Sequence, residues 1–210
     1  RADRVEELPV PGVLGEGAVL QDGSAHPEVR SAVAEALGRF GDPAAAGPMV
    51  QVLMQNPAGV SEPLVHALVR LGSPAVGPLS QAVTSSNPRV QLHAVDALSD
   101  IGGASAIRPL AVALNTSTSD DVQRAAAEAL RNRTGANLTQ MAEIAVPPLV
   151  NALYDEDWRV YYAARDALGK SGQRAVSPLL SVMASDDVRA AYMAQQALVI
   201  PSERLPRKPS

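Results

Sequence analysis

The feature that most constrains this chain is a nine-residue word that returns six times. The segments "VRSAVAEAL" from Val29, "VSEPLVHAL" from Val60, "VQLHAVDAL" from Val90, "VQRAAAEAL" from Val122, "VYYAARDAL" from Val160 and "AAYMAQQAL" from Ala190 align without gaps. Their closing leucines, Leu37, Leu68, Leu98, Leu130, Leu168 and Leu198, are separated by 31, 30, 32, 38 and 30 residues. A period of this length, kept along most of a chain, marks stacked supersecondary units rather than one layered core.

A second register follows each word: "GPMVQVL", "GPLSQAV", "RPLAVAL", "PPLVNAL" and "SPLLSVM", with prolines at Pro48, Pro78, Pro109, Pro148 and Pro178. Each repeat therefore predicts two helices, A and B, joined by a short turn. In the first A helix the apolar residues Val29, Ala32, Val33, Ala36 and Leu37 follow the spacing of a buried stripe. The B helix starts either at its proline, which suits a first turn, or one turn earlier, which makes the proline an interior kink. Gly38, Gly41, Gly72, Gly102, Gly169 and Gly172 fit helix ends, where positive φ is often needed. Asp120 with Asp121, and Asp186 with Asp187, are expected to cap the A helices that follow them.

Each unit has one apolar stripe per helix and nothing of its own to cover it, so neighbours must cover it. Composition agrees: only 3% of residues are aromatic against 46% hydrophobic, which suits thin layers of small side chains. The expected fold is all-α, an α-solenoid of about six stacked antiparallel helix pairs. Residues 25–200 form the solenoid, 1–24 a cap, linker or partial repeat, and 201–210 ("PSERLPRKPS") a basic, disordered tail.

The stretch "HPEVRSAVAEALGRFGDPAAAGPMVQVL" and its five echoes resemble the HEAT repeat family, in the short repeat type similar to that of phycobilisome lyases. The resemblance implies a curved right-handed superhelix with A helices on the convex face and B helices lining the concave one. It also admits a subunit or chaperone of a bilin lyase-like enzyme, in a family whose members hold a tetrapyrrole.

Other function classes are disfavoured. The net charge of −4 provides no global attraction for a phosphate backbone, so nucleic acid is an unlikely partner, although Trp158 and Asp157 are residue types found in repeat-built DNA glycosylases. The chain has no cysteine, which excludes thiol catalysis, disulfides and thiolate metal sites. His26, His66 and His93 lack the adjacent His-Glu pair of HEAT-like deoxyhypusine hydroxylases, and no catalytic residue, metal or cofactor is expected. Glu35, Asp96, Glu128 and Asp166, one per repeat, read as a solvated face, with Glu35–Arg39 and Asp166–Lys170 as i, i+4 pairs. The sequons at Asn115, Asn132 and Asn137 are short enough to arise by chance. No apolar run reaches membrane-spanning length; a soluble protein is expected, with the cytoplasm favoured and the compartment otherwise open. Arg1 and the irregular first segment are also compatible with a fragment of a larger repeat protein.

What remains is binding. Five of the six aromatic residues, Tyr154, Trp158, Tyr161, Tyr162 and Tyr192, fall between residues 154 and 192, accompanied by Arg159, Arg165 and Arg189. Trp158 and Tyr162 share a helix face if that A helix begins early. Tyr162 and Tyr192 hold the same repeat position and are expected to be neighbours. Arg30, Ser61, Gln91 and Gln123 occupy the position of Tyr161 elsewhere, which predicts that its ring reaches solvent. These rings form a protein-contact patch or fill a wider gap where Arg165 and Gln195 replace small apolar residues. On the B helices, Gln51, Gln81, Asn151 and Ser181 share a position, Val112 being the exception; they make either an amide-rich binding row or ordinary surface. The connection from Leu130 to Pro148 is longer than its equivalents and carries Arg131 and Arg133 as further candidates. The expected activity is a non-catalytic protein-binding or assembly scaffold, its partner another protein, alone or within a larger complex.

Overall fold

The computed structural model describes residues 20, 22, 26–55, 61–132 and 141–199. The A helices are α1 (Pro27–Phe40), α3 (Ser61–Leu71), α5 (Pro88–Ile101), α7 (Asp120–Arg131), α9 (Trp158–Ser171) and α11 (Val188–Leu198). The B helices are α2 (Ala46–Gln55), α4 (Ser73–Ala82), α6 (Ile107–Thr116), α8 (Val146–Asn151) and α10 (Gln173–Met183). Five pairs and a sixth A helix thus make an all-α solenoid, with no strand among the described residues. The end segments 1–24 and 201–210 lie outside the described residues, apart from Leu20 and Asp22.

Stacking follows the repeat. Each A helix packs on the next A helix, and each B helix packs on the A helix that follows it; α2 meets α4, α6 meets α8, and α8 meets α10. One continuous apolar core results, running from Leu20 to Ala197. Leu37, Leu68, Leu98, Leu130 and Leu168 are fully buried, whereas Leu198, last in the series, is half-buried. Removing each such leucine from water is worth roughly 1.5–3 kcal/mol. The predicted stripe of α1 is only partly right: Arg30, Ala34, Leu37 and Gly38 are buried, but Val29 and Ala32 are exposed. Val90, Val122 and Val160, at the position of Val29, are buried, each on an A helix packed against the A helix before it.

Helix ends are set by short polar side chains. Asp42, Asn87, Asp157 and Asp187 each accept a bond from a backbone N–H just inside the following helical turn, at 2.9, 3.0, 2.7 and 2.9 Å. Asp187 is the cap expected from sequence. Asp120 and Asp121 instead sit inside the first turn of α7, where they favour the positive helix end, and Ser119 holds the cap position. Gly41, Gly72, Gly102 and Gly172 do have positive φ. Gly38 and Gly169 do not: they lie within α1 and α9, where a neighbouring A helix passes too close for a side chain at Gly38 and leaves little room for one at Gly169.

Both readings of the B-helix proline occur. In the first and third repeats a 3-10 turn (Pro43–Ala45, Ala104–Ala106) precedes the α-helix, so Pro48 and Pro109 fall in its first turn. In the second and fifth the helix starts a turn earlier, and Pro78 and Pro178 lie inside it. The fourth enters through a π turn at Met141–Ala145, next to the long connection.

Candidate functional site

α9 does begin early, at Trp158, with Asp157 as its cap. Trp158 and Tyr162 therefore lie one turn apart, with ring centroids 6.0 Å apart in an edge arrangement. Tyr162 also meets Tyr161 at 5.0 Å, and the Arg165 guanidinium lies over its ring, 4.7 Å from the centroid. Trp158 is 62% exposed.

Tyr161 corrects the expectation of a solvent-reaching ring. It is half-buried and packs on the core, with the Arg189 guanidinium 5.3 Å from its centroid. Its position is the one just after the leading valine of the repeat, and Arg189 at the entry to α11 lies against it. Arg30 and Gln91 are buried at the same position, and Gln91 accepts a 2.8 Å bond from Ser117 in the connection before α7. A polar residue at this position is thus no sign of exposure.

Tyr192 makes no ring contact with Tyr162 among the described residues, although α9 and α11 are packed together. The two are matched across the A layer nonetheless. Trp158 and Tyr162 on α9 correspond to Val188 and Tyr192 on α11, each pair four residues apart, and all four are exposed, Val188 by 82%. The corresponding residues on α7 are Asp120 and Arg124, on α5 Pro88 and Leu92. A two-by-two block of exposed apolar side chains therefore occupies the last two A helices. Val188 escaped the sequence reading, although its alignment with Trp158 marks it.

The arginines of the cluster are engaged within the protein. Arg159 forks onto Asp157 at 2.7 Å and reaches Asp121 of α7 at 3.0 Å, tying two A-helix N-termini together. Hydrogen bonds from the Arg159 side chain and amide hold the Asp157 carboxyl below the usual carboxylate range. Arg165 forks onto Asp166 at 2.6 and 3.0 Å. Arg189 donates to the Tyr154 carbonyl at 3.1 Å, leaving the Tyr154 side chain exposed. Arg131 reaches Asp166 across α7 and α9 at 3.8 Å, so Asp166 pairs with Arg165 and Arg131 where Lys170 was expected. Glu35 and Arg39 do pair, at 3.7 Å. Arg133 lies outside the described residues.

On the B layer, Gln51, Gln81, Asn151 and Ser181 are all exposed, and Val112 is half-buried. Val112 and Asn151 border a groove of about 600 Å³ between α6 and α8, with Arg108 and Glu143 at its edge. Among the described residues no group of His, Asp and Glu side chains is arranged to hold a metal ion, and no helix is long and apolar enough to cross a membrane.

Comparison with known proteins accounts for the layers. The family model described as HEAT repeats matches residues 60–131, and that described as PBS lyase HEAT-like repeat matches 29–53 and 122–155, together more than half of the 210 residues. The chain belongs to the HEAT repeat family. No curated protein matches it. Among solved structures, the complex of CpcE and CpcF of phycocyanin lyase from Nostoc sp. PCC7120 is similar at 24% identity, with a TM-score of 0.54 over 75% of this chain and 99% of that one. A designed armadillo repeat protein in complex with the peptide (KR)4 is similar at 20% identity and a TM-score of 0.55, covering 87% of this chain and 96% of that one. An engineered protein gives 23% identity and a TM-score of 0.53 over 87% and 94%. At these identities the likeness is one of fold.

Proposed function

We propose that this HEAT repeat chain is a non-catalytic scaffold that binds another protein through the C-terminal end of its A layer. The observation that carries this reading is the exposed block of Trp158, Tyr162, Val188 and Tyr192, placed where earlier repeats carry polar residues, alanine or proline, apart from Leu92, which is half-buried against the core. Large rings held on rigid helices lose little side-chain entropy on binding, and such residues dominate interface energies at about 2 kcal/mol or more each. Arg165, stacked on Tyr162 and forked to Asp166, orients that ring. The B-layer row of Gln51, Gln81, Asn151 and Ser181 provides a second, polar surface for the same partner.

The test is capture of partners from the native source by the wild-type chain and by the Trp158→Ala/Tyr162→Ala double variant, read by mass spectrometry. Loss of specific partners with unchanged helicity supports the site. An identical captured set removes it.

The match to the PBS lyase HEAT-like repeat at 29–53 and 122–155 favours one second reading, a lyase-like subunit that holds a linear tetrapyrrole. Mixing the purified chain with such a pigment separates the two: a new, saturable visible band supports pigment binding, and an unchanged spectrum leaves the scaffold.

A further inference from the structure

The A layer turns acidic where the aromatic block begins. Asp155, Glu156 and Asp157 lead into α9, Asp186 and Asp187 lead into α11, and Asp120 is the first residue of α7. The approach to α5 is Ser85, Ser86 and Asn87 instead, with no carboxylate. The fold uses some of these acids itself: Asp157 and Asp187 cap their helices, and Asp155 accepts the Asp157 amide at 2.9 Å. Asp120, Glu156 and Asp186 are exposed, and none of them is a helix cap. The cations of the same edge are committed within the protein, Arg159 to Asp157 and Asp121, Arg189 to the Tyr154 carbonyl, and Arg124 to Glu128. What this edge presents to solvent is negative charge.

The rings of the block point to the same chemistry. Among the described residues two rings already carry an arginine, Tyr162 under Arg165 at 4.7 Å and Tyr161 under Arg189 at 5.3 Å. Trp158 carries none, although an indole attracts a cation more strongly than a phenol ring does. It is 62% exposed, Glu156 stands two residues before it, and Asp120 holds its repeat position on the neighbouring α7. The exposure of Trp158 owes nothing to the end of the stack. α9 is packed between α7 and α11, and the counterparts of Trp158 on α5 and α7, Pro88 and Asp120, are exposed as well.

We infer that the block takes a basic segment of its partner protein, with an arginine or lysine laid over the Trp158 indole and its charge directed to Asp120, Glu156 and Asp186. This deepens the scaffold reading proposed above and rests on it. Apolar side chains between the partner's cations cover Tyr162, Val188 and Tyr192. Toward the other end of α9 the charge reverses, with Arg165 and Lys170 against Asp166, so the cations belong at the N-terminal edge and the segment has one orientation. A neutral or acidic segment gains nothing from that edge.

The test is selection of a displayed library of random peptides on the full chain and on its Trp158→Ala/Tyr162→Ala variant. Sequences enriched on the wild-type chain and lost on the variant are expected to carry arginine or lysine among apolar residues. One such peptide, made synthetically, should change Trp158 emission saturably. Glu156→Gln combined with Asp186→Asn should weaken that binding by about tenfold, and added salt should weaken it in the wild-type chain. Block-dependent sequences that are neutral or acidic, or a basic peptide whose affinity ignores both carboxylates and salt, overturn the basic partner and leave the scaffold reading standing. An enriched set identical on both chains removes the block as a binding surface, and this inference with it. Trp158 emission that changes, with no peptide present, when Arg204, Arg207 and Lys208 are replaced by glutamine assigns the acidic edge to the chain's own basic tail and overturns a separate partner.

Discussion

Gly38 of α1 lies against Ala67 of α3 so closely that a Cβ on the glycine would come within 2.8 Å of both the Cα and the Cβ of Ala67. Backbone stands on the other side of that contact, so no side chain can swing away to make room. Gly169 of α9 repeats the arrangement against the Ala197 carbonyl at 3.2 Å. Glycine thus faces alanine at close approach between A helices near both ends of the described layer. Gly38→Ala gains helix propensity but forces α1 and α3 apart, and overpacking of this kind costs about 1–3 kcal/mol. Gly77, inside α4, has nothing beyond its chain neighbours within 4 Å of its would-be Cβ, but Pro78 follows it and the proline ring crowds a Cβ on the preceding helical residue, so Gly77→Ala should be close to neutral. Gly38→Ala should lower the denaturant midpoint by far more than Gly77→Ala.

Ser117 and Gln91 give a second measurable tie, a buried bond that joins one A helix to the entry of the next. The Ser117 oxygen also accepts from the Ser119 amide at 3.1 Å, so it organises the approach to α7. Ser117→Ala leaves the buried Gln91 amide without its partner and should cost about 1–3 kcal/mol. Gln91→Leu made in the Ser117→Ala background should recover part of that loss, because the stranded polar group is then gone. A double-mutant cycle by chemical unfolding reads the coupling.

The architecture was legible because the word ending at Leu37 and its five copies repeat the same burial requirement, and only stacking meets it. The candidate site was legible in part. Trp158 and Tyr162 followed from helical spacing alone. Tyr161 was misread because Arg30 and Gln91 look like surface residues in a list, while in the stack both are buried, Gln91 against Ser117 at the entry to the next A helix. The exposure of Leu180 and Met183 was invisible for the opposite reason: their residue types match buried positions in earlier repeats. Gly38 and Gly169 show the same limit, since a helix interior and a turn can both use glycine and the sequence does not distinguish which.

The cap of α9 has an acid dependence with a definite sign. Arg159 holds the Asp157 carboxyl below its ordinary value of 3.8. A depressed carboxylate adds stability that is present above the unfolded-state value and is lost as pH falls through the lower folded-state value. Asp157→Asn keeps an oxygen to accept the Arg159 amide but cannot titrate. The wild-type chain should therefore lose stability more steeply than the variant in the window below 3.8. Thermal midpoints recorded across acid pH should converge at the low end, and parallel curves would show that Arg159 does not hold the carboxylate.

Asp96 should behave in the opposite sense. Partial desolvation of its carboxyl, the largest cause, raises it above 3.8; His93 opposes this, Asp100 adds to it, and Arg124 opposes it. A raised carboxylate is a liability above its folded-state value and is relieved as protonation sets in. Asp96→Asn should thus raise the neutral-pH thermal midpoint, and that gain should vanish in acid.

Trp158 is the chain's single tryptophan, so its fluorescence reports on the proposed binding block without interference from another indole. With Trp158 62% exposed and its ring in an edge arrangement with that of Tyr162, emission should be red-shifted and readily quenched by iodide. Tyr162→Ala removes that edge contact and should increase quenching further, while circular dichroism stays unchanged. Docking of a protein on the block would exclude water from the indole, shifting emission to the blue and protecting it from iodide. A partner that leaves both properties unchanged binds elsewhere, and the B-layer row of Gln51, Gln81, Asn151 and Ser181 then becomes the surface to substitute.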